Sequence, residues 1–111
     1  MKLDAALALA NQLLAQHGIQ GWTPKMCGLL TLNGGVDHDT QTMWLSGANI
    51  RMNDEAMVRD LVLHEIAHIL AGPEHNHDEE WVRIAKSIGC LEVSAKRKNQ
   101  KAFDMTYARK V

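Results

Sequence analysis

A chain of 111 residues, 46% of them hydrophobic, has the size and composition of one small globular domain. No run approaches the roughly 20 apolar residues of a membrane span, and two cysteines outside any C-x-x-C pair exclude a disulfide framework, so a reducing, cytoplasmic setting is expected. The net charge of −1 is unevenly spread: residues 1–90 carry 6 basic and 11 acidic side chains, whereas residues 91–111 carry 6 basic and 2 acidic.

Leu3, Leu7, Ala10, Leu13 and Leu14 recur at helical spacing, so residues 2–17 read as a packing helix. His17-Gly18 closes it, glycine being suited to the turn after the last helical residue. Lys2 and the short run Ala5–Ala10 do not make a secretory signal, because Asp4 and the pair Asn11-Gln12 interrupt the apolar stretch. Residues 19–47 change character. Ile19, Trp22 and the stretch from Met26 to Leu32 suggest short strands, Asn33-Gly34-Gly35 is a turn signal, and the stretch from Thr40 to Ser46 alternates and contains β-formers. The expectation is an antiparallel hairpin with its loop over Asn33–Asp39. Asp37-His38-Asp39 in that loop could bind a cation, but turn chemistry already accounts for it, and a polar turn is preferred.

Asn53 is the expected N-cap of the next helix, with Asp54 and Glu55 complementing its dipole and the helix running from about Asp54 to Ala71. Met57, Leu61, Leu63, Ile66, Ile69 and Leu70 form its apolar backing, and Arg59 and Asp60 are placed on a solvated face. Within it stands His64-Glu65-Ile66-Ala67-His68, the H-E-x-x-H pattern. Residues four apart on a helix share a face with Cβ atoms roughly 5–6 Å apart, which lets two imidazoles grip one Zn²⁺ at about 2.0–2.1 Å each. Glu65 is turned by about 100° from His64. From there it can act on an activated water without ligating the metal, which suits a general base. Two histidines and a glutamate in so apolar a stretch are unfavourable unless something satisfies them, and a metal would do so.

A catalytic zinc needs a third protein ligand. Gly72-Pro73 stops the helix and forces a turn, and the residues that could fold back are Glu74, His75 and His77. A metzincin-type turn would put its third ligand at position 74, which holds Glu, with the glycine displaced by one. Asp78 or His77 can cap a following helix, on which Trp81, Ile84, Ala85 and Ile88 share a face and which Gly89 ends.

The run from His64 to Trp81 resembles the SprT-like zinc metalloproteases, a family that includes the Spartan-type proteases acting on DNA–protein crosslinks. The block His77-Asp78-Glu79-Glu80-Trp81 is similar to the family's second motif, although many members carry Gly where Asp78 stands. The resemblance implies that His77 is the third ligand of one zinc ion per chain, that Trp81 packs behind the site, and that His75 is a neighbour in the turn. It also implies an α+β, minimal zincin-like fold over residues 1–90: an N-terminal helix, a small antiparallel sheet, the metal helix and a packing helix. Cys27-Gly28 and Leu45-Ser46 look like short family matches in the sheet. In such proteases an edge strand beside the metal helix receives extended substrate through main-chain hydrogen bonds, and the 40–46 strand is the candidate.

Residues 91–111 read as a solvated, partly disordered basic tail. The alternative is a phosphate-binding tail, with Lys96, Arg97, Lys98 and Lys101 contacting DNA and Phe103 and Tyr107 stacking. The cysteine-rich ribbon of longer family members has no counterpart in this segment. The expected function is therefore zinc-dependent hydrolysis of a protein or peptide substrate, with Glu65 as base and DNA-associated proteins as one substrate class. The alternatives are a zinc-stabilised module that binds protein or DNA with little catalysis, and a zinc hydrolase of RNA. Glu65 speaks for catalysis, since a structural site does not need it.

Overall fold

Residues 1–28 and 34–91 are described by the computed structural model. Helix α1 (Leu3–Gln16) occupies the expected stretch and buries Ala6, Leu9, Ala10, Leu13 and Leu14, leaving Leu3 and Leu7 at a half-buried margin. His17 is its C-cap, and Gly18 follows in the left-handed region at φ +71°.

Strands β1 (Thr23–Cys27), β2 (Gly34–Asp37) and β3 (Thr42–Ser46) form one sheet in the order β1-β3-β2. β3 runs parallel to β1 and antiparallel to β2, so the sheet is mixed. This corrects the expected antiparallel pairing of a 26–32 strand with 40–46. The two-stranded hairpin joins β2 to β3 instead, through residues 38–41. Asp37 Oδ1 accepts hydrogen bonds from the amides of Asp39 (2.9 Å) and Thr40 (3.4 Å), and Gln41 takes φ +52°. Asp37-His38-Asp39 is thus a polar turn, with the His38 ring edge-on to Trp22 at 5.4 Å.

Side-chain chemistry explains the strand order. β3 carries Met43 and Leu45, both at 0% exposure, and takes the centre, where both of its edges are paired. Pro24 lacks an N–H and is tolerated in an edge strand, which is where β1 lies. The candidate substrate strand, 40–46, therefore has no open edge. Gly34 and Gly35, expected in a turn, pair instead with Leu45 and Trp44 as part of β2.

A helix the sequence did not announce follows directly. α2 (Gly47–Met52) is capped by Ser46, whose Oγ accepts from the Asn49 amide at 3.2 Å. Asn53 closes α2 rather than opening the next helix. Its buried side-chain amide donates to Asn49 O (2.8 Å) and Asn49 Oδ1 (2.6 Å). The N-cap of α3 (Glu55–Ala71) is Asp54, whose Oδ1 accepts from the Met57 amide at 3.0 Å.

Packed against α1, β2 and α4, helix α3 buries every residue from Asp60 to His68. Asp60 is not on a solvated face: it is 6% exposed, and its Oδ1 accepts the Leu91 amide at 2.6 Å, tying the end of the described chain to α3. Leu70 lies outside the apolar backing, at 43% exposure. α4 (Glu79–Ser87) buries Trp81 and Ala85 against α3, and Gly89 at φ +93° follows it.

The fold is α+β, with four helices and a three-stranded mixed sheet among the described residues. None of these helices is long and apolar enough to cross a membrane, and neither Cys27 nor Cys90 is in a disulfide among the described residues. Residues 29–32 of the expected first strand, Asn33 of the expected turn, and Lys96, Arg97, Lys98 and Lys101 of the basic tail lie outside the described residues.

Candidate metal centre

His64 and His68 stand one turn apart on α3 because helical periodicity puts them there, and the packing of α4 buries both, at 0% and 4% exposure. The third group arrives by a turn. Gly72, at φ +97°, ends α3, its amide donating to His68 O at 3.1 Å, and the His75 amide donates back to Gly72 O at 3.2 Å. His77 then takes φ +57°, a left-handed conformation for a residue with a Cβ, and Asp78 caps α4 by accepting the Trp81 amide at 3.0 Å.

This path brings His77 Nε2 to 3.0 Å from His64 Nε2 and 3.1 Å from His68 Nε2. The three residues lie close enough to hold one metal ion. A ring nitrogen has a single in-plane position, occupied by a proton or a lone pair, so His77 Nε2 cannot satisfy two neighbouring nitrogens by hydrogen bonding. One cation accepting three lone pairs satisfies all of them. Tetrahedral ligands at about 2.0–2.1 Å from an ion lie roughly 3.3 Å apart, so the two separations from His77 Nε2 come within a few tenths of an ångström of that spacing.

The other candidates for the third position lie elsewhere. The Glu74 side chain is 71% exposed, and its carboxylate lies against Gly72, within 3.0 Å of where a Cβ would stand. His75 turns to Asp78, its Nδ1 donating to Asp78 Oδ2 at 2.7 Å. That hydrogen bond is the main reason the His75 pKa is raised. The Asp78 carboxyl is held below its usual range, first by the Trp81 amide and then by His75.

Trp81, fully buried, backs the triad. Its ring centroid is 4.7 Å from His64, 5.2 Å from His68 in a stacked arrangement, and 4.5 Å from His77 edge-on. One indole thus sets the back wall for all three imidazoles. Trp81→Ala is expected to lower stability by about 3–5 kcal/mol, read from the denaturant midpoint of unfolding.

Glu65 is fully buried and reaches toward the sheet. A Cβ added at Gly34 would lie 2.8 Å from Trp44 O and 3.1 Å from Glu65 Oε2. Glycine in β2 is therefore a packing requirement that lets the strand backbone meet the Glu65 carboxylate. Nothing in local sequence announces it, since Gly34 and Glu65 meet only through the packing of β2 against α3. Gly34→Ala is expected to cost about 1–3 kcal/mol by overpacking, checked by the same unfolding measurement. Of the triad and Glu65, only His77 is half-exposed. It borders a shallow surface depression of about 550 Å³ shared with Asp78, Glu79, Val82, Arg83 and Lys86.

Comparison of the chain with protein-family models, with curated proteins and with solved structures found no match.

Proposed function

We propose that the chain is a zinc-dependent peptidase of minimal zincin-like architecture, similar in its machinery to the SprT-like zinc proteases. His64, His68 and His77 would hold the ion, and Glu65 would be the general base. The observation that carries this reading is the convergence of three Nε2 atoms, two of the separations being 3.0 and 3.1 Å, with Glu65 buried between two of the ligands on the same helix. A set of three imidazoles suits a zinc ion that keeps one coordination position for chemistry. When bound, the ion supplies Lewis acidity, making water a nucleophile near neutral pH and polarising a peptide carbonyl.

The chain's own residues do the rest. Glu65 takes the proton of the attacking water and returns it to the leaving amine. Its packing against Gly34 limits how far the carboxylate can swing during that transfer. β2, an edge strand among the described residues, lies beside Glu65 and, in place of the central 40–46 strand, would be the one to receive substrate. An extended peptide would pair with β2 through main-chain hydrogen bonds. DNA contact through Lys96, Arg97, Lys98 and Lys101 is the corresponding proposal for the tail.

The test is metal analysis of the purified chain together with cleavage of an unstructured protein, with and without chelator and with and without DNA. One zinc per chain and chelator-sensitive cleavage are expected; a metal-free chain, or a loaded one that leaves the substrate intact, overturns the reading. The burial of His64 and Glu65 favours a second reading, in which the ion is a structural clip. A hydroxamate that perturbs the visible spectrum of the cobalt-substituted protein decides for the open site.

A further inference from the structure

We propose that His75 and Asp78 are positioning residues for the third metal ligand, His77, an inference that rests on the metal reading above. One carboxylate brackets His77 on both sides. Asp78 Oδ2 accepts from His75 Nδ1 at 2.7 Å, two residues before the ligand, and Asp78 Oδ1 accepts from the Trp81 amide at 3.0 Å, four residues after it. The main chain is tied on either side of the ligand, the His75 amide donating to Gly72 O at 3.2 Å before it and the Val82 amide to Asp78 O at 2.9 Å, the first helical bond of α4, after it. Between these ties His77 is held at φ +57°. A side chain with a Cβ keeps that conformation only where its surroundings impose it.

The bracket connects the ligand to its backing. Trp81, whose amide Asp78 holds, places its indole against all three imidazoles. His64 and His68 need no such device, because α3 orients them and its packing immobilises them. His77 is the ligand carried by a turn, and a turn must be closed by its own side chains. The His75 ring stands apart from the triad and gives the ion no ligand atom. Its effect passes through Asp78, as groups that orient metal ligands generally do.

The experiment measures zinc affinity of the full chain by competition with a chromophoric chelator, alongside zinc content at saturation and thermal unfolding of the apo form. Asp78→Ala is expected to keep one zinc per chain at saturation and to weaken binding about 10–100-fold. His75→Ala, a change at a half-exposed position, is expected to weaken binding several-fold with unfolding of the apo form unchanged. Asp78→Asn, which retains an N-cap oxygen, is expected to fall between wild type and Asp78→Ala. The double variant His75→Ala/Asp78→Ala is expected to match Asp78→Ala, because the two act as one unit. Wild-type affinity in both His75→Ala and Asp78→Asn, with weakening confined to Asp78→Ala, would reduce Asp78 to a helix cap and overturn the inference. A wild-type chain that binds no zinc overturns the metal reading itself, and this inference with it.

Discussion

Glu65→Gln is expected to retain one zinc per chain and to lose peptide hydrolysis by about 10²–10⁴-fold, the range general base catalysis contributes. The substitution preserves shape, so the packing of the side chain against Gly34 and β2 survives it. The amide cannot accept a proton from water at neutral pH, and that is the step assigned to Glu65. Because the α3 backbone, which the substitution leaves in place, carries His64 and His68, metal content should be unchanged. Metal analysis and turnover on the same preparation check the result. Full turnover in the variant would remove Glu65 from the base role.

His77→Ala is expected to weaken zinc binding by more than the roughly 10–100-fold typical of an outer-shell change, since it deletes one of three ligands. Alanine is itself poorly suited to φ +57°, so His77→Asn, which tolerates the left-handed region, separates loss of the ligand from backbone strain. Both variants should also lose the thermal stabilisation that zinc gives the wild type. A ligand at 100 times its Kd adds about 2.7 kcal/mol to folding stability, so the zinc-induced rise in Tm is the readout. If His77→Asn keeps that rise while His75→Ala removes it at saturating zinc, the third ligand is misassigned.

Both expectations rest on features legible at short range. The four-residue spacing of His64 and His68, the stop at Gly72-Pro73 and the capping oxygen of Asp78 each act within a turn or two of helix, where periodicity and hydrogen bonding set the outcome. Even so, local reading slips by one position where two caps compete. Asn53 is chemically a good N-cap, but it is drawn into α2 by Asn49, and Asp54 takes the role. Asp60 misleads in a similar way: an acidic residue in a helix normally faces water, but here a backbone amide from the end of α4's turn satisfies it in the interior.

The sequence by itself determined α1, the helix that carries His64 and His68, the break after it and the capped helix beyond, and with them a short list of candidate ligands: His64, His68 and one of Glu74, His75 or His77. The resemblance singled out His77, which the structure brings to the first two; tertiary structure alone decided that β3 lies between β1 and β2 and that Gly34 meets Glu65. The reason is the range of the interactions. A helix is specified by neighbours three and four residues apart, whereas strand order, and the approach of β2 to a carboxylate on α3, depend on which distant surfaces exclude water together, and no local period records that.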